Sequence, residues 1–241
     1  NVEYDLKQLE KFHDIILISS KSVKNKIKTP VLISKNPRLD FQRIVIEFFV
    51  EEKIKTGIHK TAVIDDDVKI GKNVFVGSNC YIATNVTIGE NTKILSNTCI
   101  FSNTTIGKNS VIKSNTTIGS EGFSFSYTGD ELFHFPHLGS ILIGNNVWIG
   151  SNSVILPGVK VGRGSVIGAG SIVTRDIPMY SIVYGSPALV VSKRFDEDTI
   201  KYLEELQWWN WDIKRILKNK TLFKVSLVNI TDKELDDIVK V

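Results

Sequence analysis

The chain has 241 residues, of which 30 are basic and 26 acidic, giving a formal charge of +4; that balance is too mild to argue for nucleic acid. Two cysteines in this length exclude a disulfide framework and are consistent with a reducing cytoplasm. The longest apolar run, residues 44–50, is interrupted by Glu47 and falls far short of a membrane span, and no secretory leader is visible, so no membrane insertion is expected.

Residues 1–57 carry no repeat. Short apolar runs at 15–18 and 31–33 precede a stretch in which Asp40 would cap a helix running to Phe49, with Ile44, Phe48 and Phe49 on one side. A small α/β cap is expected here, covering the open edge of the repeat that begins at Ile58.

From Ile58 an aliphatic residue recurs at every sixth position, through Ile64, Ile70, Val76 and Ile82 to Ile118. Three places after those from Ile70 to Ile112 stands an asparagine each time, from Asn73 to Asn115. Asparagine and glycine take a left-handed backbone at least cost, so the pattern predicts one tight corner repeated. Four places after each aliphatic residue is a small or β-branched one (Ala62, Val68, Val74, Cys80, Val86, Thr92 and onward to Thr116), which should also point inward. This is the signature of a hexapeptide parallel β-helix, in which three units close one coil and only the stack buries an aliphatic face. Eleven such units run to Ile118 and six more from Ile143 to Val173, roughly six coils and about 28 Å of height at the usual strand spacing.

Between them, residues 120–140 break the rule. The aliphatic series resumes at Ile143, one residue out of phase, so the register is expected to slip and the chain to leave the prism. His134 and His137 lie here with Glu121, Asp130 and Glu131, and with Phe123, Phe125, Phe133 and Phe135. Loops extruded from a rigid stack are where chemistry is usually placed; the bland alternative is a structural excursion whose histidines cover the aromatic cluster. After Val173, Asp176, Pro178 and Pro187 are expected to end the coils, with residues 185–187 as a turn. Asp196 or Asp198 would then start a helix presenting Ile200, Leu203 and Leu206. Trp208, Trp209 and Trp211 would pack this cap on the last coil, and Thr231 with Glu234 would open a final helix. The resulting organisation is a cap at 1–57, a β-helix at 58–178 and a turn with helical cap at 179–241.

The hexads resemble the left-handed β-helix acyltransferases, which implies an all-β, left-handed parallel β-helix with those two caps. Residues 143–150 (Ile-Gly-Asn-Asn-Val-Trp-Ile-Gly), the run through Gly168-Ala-Gly-Ser and Gly185-Ser-Pro-Ala, and Lys193-Arg-Phe-Asp to Trp211 resemble the xenobiotic acetyltransferases. Asn36-Pro-Arg-Leu-Asp-Phe41, Gly57-Ile-His and Ser120-Glu-Gly-Phe with Phe135-Pro-His-Leu-Gly resemble instead the enzyme that N-acylates UDP-3-O-acylglucosamine in lipid A synthesis. Together these imply a homotrimer with active sites in the grooves between prisms and an acyl-CoA donor. Coenzyme A would lie near Gly168, Ala169 and Pro187, with Lys193 or Arg194 at its phosphates. A uridine-type nucleotide would meet Asn36, Phe41 and Phe123, although Arg38 replaces the aromatic residue expected after Asn36-Pro37. The Asn-His motif of the xenobiotic enzymes is absent, as is the later-coil histidine of the lipid A enzyme. A histidine base must then be His137 or His134, with His137 favoured because Pro136 and Gly139 fix its backbone, unless His13 or His59 is displaced into the site.

A neutral imidazole can take the acceptor's proton near neutral pH as it attacks the thioester, and Glu121 or Asp130 could orient the ring. The expected activity is direct transfer of acetyl from acetyl-CoA to a UDP- or dTDP-linked amino sugar for surface polysaccharide. The alternatives are O-acetylation of a sugar or polysaccharide hydroxyl, a xenobiotic acetyltransferase, or a non-catalytic scaffold. A zinc-dependent carbonic anhydrase is disfavoured, because it needs three histidine ligands and no two of the four are suitably spaced, so no metal is expected.

Overall fold

The computed structural model describes residues 16–19, 30–49, 56–122, 125–129, 131–134, 138–222, 227, 230 and 232–239. It divides into two units, 1–55 and 56–241. The first holds two short parallel strands, Leu17–Ser19 and Val31–Ile33, and helix α1, Pro37–Phe49. The helix starts before Asp40, not at it. Asn36 Oδ1 accepts from Leu39 N at 3.2 Å, and Pro37 suits the first helical position because its missing N–H would have no partner there. Asp40 lies within the first turn, where its carboxylate accepts from Ser34 Oγ at 2.6 Å and from Arg43 at 3.2 Å. α1 buries none of its residues.

The second unit is a three-sided parallel β-helix, in line with the fold expected from the hexads. Its faces carry sheets of six, five and eight strands. Successive two-residue strands visit the faces in turn, and each pairs with the strand one coil on: Val76 with Ile94, Ile82 with Ile100, Ile88 with Ile106. Ile82, Ile88, Ile94, Ile100, Ile106, Ile112 and Ile118 are all buried to within 1%. β-branched side chains are stiff and fit a pleated surface, which suits a column of identical residues stacked on themselves.

Every corner asparagine from Asn73 to Asn115, with Asn146 and Asn152, has φ between 55° and 61°. Their amides also form ladders: Asn73 donates to Asn91, and Asn91 to Asn109, each at 3.1 Å. From Val74 onward the inward small residues are buried as expected, whereas Ala62 and Val68 in the first coil are partly buried. The hydroxyls explain the choice of threonine and serine. Thr92 Oγ1 donates to Gly107 O at 2.8 Å, and Thr116 Oγ1 to Lys113 O at 2.7 Å. Each thus gives its buried hydroxyl a corner carbonyl as partner.

Two expectations about the breaks are corrected. No register slip occurs at the extruded loop. The chain leaves after Ile118 and returns on the next face in turn, so that Ile143 pairs with Ile106 and Ile149 with Ile112; the whole sequence excess is looped out. Nor do Asp176 and Pro178 end the coils. Ile177 bridges to Val161, and strand Ser181–Gly185 pairs in parallel with Val166 and Ile167. The corner of this extra half-coil is Tyr180, at φ 54°, where asparagine or glycine stands elsewhere. That substitution, with a step of four residues in place of six from Val173 to Ile177, hides the hexad from Ile177 to Val183.

After a turn at the cis Ser186–Pro187 bond, Ala188–Lys193 returns antiparallel to Ser181–Gly185. Asp196 caps helix α2, Glu197–Leu206, by accepting from Thr199 N at 2.7 Å. Asp212 caps α3, Ile213–Lys218, in the same way. α4 spans Asp232–Ile238; Thr231, its expected cap, lies outside the described residues. The tryptophans divide their roles rather than all packing on the coil. Trp211 joins Leu222 and Leu235 in a separate small core, whereas Trp209 meets the coil through Arg163, whose guanidinium lies 4.5 Å from its ring centre.

Candidate active site

The excursion between Ile118 and Ile141 is built around an antiparallel hairpin, Phe125–Thr128 with Glu131–His134. Phe125 stands opposite His134, so the two share one face, and their rings approach to 4.9 Å. Strand alternation puts Tyr127 and Leu132 on that same face, while Phe133 points to the other.

His134 ties the end of the hairpin to its root. Its Nε2 lies 3.1 Å from Gly122 O, and its Nδ1 lies 3.5 Å from Glu121 Oε2. The expected partnership of Glu121 with a loop histidine is therefore present. Both ring nitrogens thus face acceptors of the loop itself. His137, Phe123 and Asp130 lie outside the described residues. The return strand, Ile141–Ile143, carries Leu142 into an open groove of about 600 Å³ that also presents Thr105, Lys160, Asp176 and Met179.

The residues expected at coenzyme A are drawn together in part. Gly168 donates from its backbone to Val183 O at 2.8 Å, and a side chain on Gly168 would meet Tyr184 Cβ at 2.8 Å. Gly168 and exposed Ala169 thus stand beside the strand that leads into the Pro187 turn. Lys193 is exposed, with its Nζ on Met179 O at 3.0 Å.

Arg194 does not match the expected role of a solvent-facing phosphate ligand. Its Nη1 donates to Gly164 O at 2.6 Å, and burial pulls its pKa below the ordinary value. Arg175, one corner after Val173, is exposed.

Elsewhere, Asn36 is occupied as the cap of α1, and Phe41 is exposed. His59 Nδ1 accepts from Thr61 N at 3.3 Å, which makes it a turn residue; His13 lies outside the described residues. Among the described residues no three metal-ligating side chains cluster, and no helix is long and apolar enough to cross a membrane. Cys80 sits inside the prism against Leu95 O, and burial pushes its thiol up. A thiol held neutral and out of solvent is a poor nucleophile.

Comparison with known proteins bears on the coils. The family described as bacterial transferase hexapeptide (six repeats) matches residues 67–102, 85–120 and 140–175, which leaves out the hairpin and residues 1–57. Chloramphenicol acetyltransferase of Klebsiella aerogenes is 43% identical over 103 residues, 40% of this chain and 49% of that protein. Galactoside O-acetyltransferase of Escherichia coli K12 is 51% identical over 75 residues, 31% of this chain and 35% of that protein. The chain spans about half the length, or less, of the curated relatives it matches. Among solved structures, perosamine N-acetyltransferase from Caulobacter crescentus, in complex with CoA and GDP-perosamine, superposes with a TM-score of 0.49 at 21% identity, over 68% of each chain.

Proposed function

We propose that this chain is an acetyl-CoA-dependent acetyltransferase that transfers acetyl directly to the amine of a nucleotide-linked amino sugar. The observation that carries the reading of acetyl transfer is the 103-residue segment shared at 43% identity with a chloramphenicol acetyltransferase. A hairpin bearing a histidine–carboxylate pair, extruded from otherwise unbroken coils, supports it. The amino-sugar acceptor rests on the sequence alone, on the resemblance of residues 36–41, 57–59, 120–123 and 135–139 to the UDP-3-O-acylglucosamine enzyme.

In this proposal the acceptor nitrogen attacks the thioester carbonyl carbon, the C–S bond breaks, and the thiolate of coenzyme A leaves. A base must remove the proton released from nitrogen. His134 faces Glu121 and Gly122 O across the root of the hairpin, so the base is assigned to His137. A backbone N–H at a coil corner would meet the charge developing on the thioester oxygen. Gly168, Ala169 and the Pro187 turn hold the donor, and exposed Lys193 faces its phosphates.

The site is proposed to be shared between three copies of the chain. Support comes from the six-stranded face, whose outward residues Val63, Tyr81, Cys99, Thr117, Val154 and Ile172 include no charge. The other two faces carry Lys69, Lys160 and Lys93. A cytoplasmic location fits a donor that is made there.

O-acetylation of a sugar hydroxyl is the second reading, and the 51% identity to a galactoside O-acetyltransferase favours it. Release of free thiol from acetyl-CoA, followed with a panel of nucleotide-linked amino sugars and of plain glycosides, separates the two. Turnover of glycosides alone would establish the second.

A further inference from the structure

A cavity of about 490 Å³ lies between the helical cap and the largest face of the coils, within the range of ordinary small-molecule sites, about 300–1,000 Å³. Its floor is Val111 and Trp148, neighbours on adjacent strands. The cap supplies Leu203 and Trp208, and the chain between coil and cap supplies Tyr180, Arg194 and Phe195. Gly168, Ala169, Pro187 and Lys193 do not line it; Gly168 and Ala169 lead into the next corner, at Gly170, at the other end of strand Val166–Ile167 from Gly164. The cavity is thus separate from the place proposed for coenzyme A.

The two guanidinium groups in the lining are not equivalent. Arg163 is matched: its Nε lies 3.6 Å from Glu204 Oε1, and its guanidinium stacks on Trp209. Arg194 is half-buried, with Gly164 O on one nitrogen and the Phe195 ring centre 5.2 Å from its guanidinium, and among the described residues no carboxylate pairs with it. A partly desolvated cation is costly unless an anion meets it, and planar guanidinium suits carboxylate in particular. Beside it stand flat aromatic walls that favour a ring.

We propose that this cavity binds a small ring-bearing carboxylate, with its anionic end on Arg194 and its ring against Trp148 and Trp208. The proposal does not depend on acetyl transfer.

The test is isothermal titration of the full chain with 2-naphthoate and, separately, with the neutral naphthalene-2-carboxamide. One saturable equivalent of the acid per chain is expected, with the amide bound on the order of tenfold more weakly, since a hydrogen bond to a charged group is worth that much or more. Saturating coenzyme A should leave the acid's Kd unchanged. Arg194→Gln alone would be ambiguous, because it also frees Gly164 O and can loosen the cap. Val111→Glu instead places a carboxylate on the floor of the cavity, and is expected to weaken the acid about tenfold more than it weakens the amide. Absence of saturable binding, equal affinity for acid and amide, displacement of the acid by coenzyme A, or indifference to Val111→Glu would each overturn the proposal.

Discussion

His134 clasps Glu121 across the root of the extruded hairpin, with Nδ1 3.5 Å from the carboxylate, while its other nitrogen rests on Gly122 O. A ring spent in this way positions a loop and is badly placed to accept a substrate's proton. His137→Ala is therefore expected to lower kcat by roughly 10²–10⁴, the usual worth of a general base, with the thermal midpoint unchanged. His134→Ala should raise the acceptor KM more than it lowers kcat. Steady-state kinetics of both variants distinguish the roles.

The corner asparagines make a prediction about stability. Asn91 sits at φ 58° in the middle of an amide ladder. A β-branched residue is strained in that region, whereas glycine is not. Asn91→Val should cost about 1–2 kcal/mol more than Asn91→Gly, measured by equilibrium urea unfolding.

Gly144 tests how closely the coils stack. A Cβ there would stand 2.6 Å from Arg163 N and 2.8 Å from its Cα, backbone atoms that cannot swing aside. Gly144→Ala is expected to cost about 1–3 kcal/mol, the range of overpacking in a close-packed interior. Differential scanning calorimetry would register the loss.

Asp196 gives a pH dependence with a definite sign. The Thr199 backbone N–H that it accepts holds its carboxyl below the ordinary 3.8. A depressed folded value contributes stability above the unfolded value and loses it as pH falls through the folded one. Asp196→Asn keeps an oxygen for the cap and should flatten the fall in stability below about pH 4. Thermal midpoints recorded across that range for both proteins would check it.

Much of the coil is legible from sequence because the period encodes geometry directly: aliphatic inward, asparagine or glycine at a left-handed corner, threonine or serine against a carbonyl. Where one residue departs from that code, the reading fails. Tyr180 takes the left-handed corner without being asparagine or glycine, so the last half-coil escapes detection. The phase break before Ile143 suggests a slip because sequence counts residues, whereas the stack counts only those inside it. Asp40 has the chemistry of a cap, but Asn36 with Pro37 after it holds that position. In the site, the pairing of Glu121 with His134 is open to anticipation. That the ring is used on both sides is not, because Gly122 O carries no signal in a sequence. Arg194 reads as a free cation for the same reason: its partner is the backbone of Gly164, thirty residues earlier.

The most direct test is the release of coenzyme A from acetyl-CoA in the presence of nucleotide-linked amino sugars, compared between the unaltered chain and His137→Ala. The account predicts acceptor-dependent thiol release and an N-acetylated product by mass, nearly abolished in the variant. No release with any amino sugar or glycoside, or equal release by the variant, would contradict it.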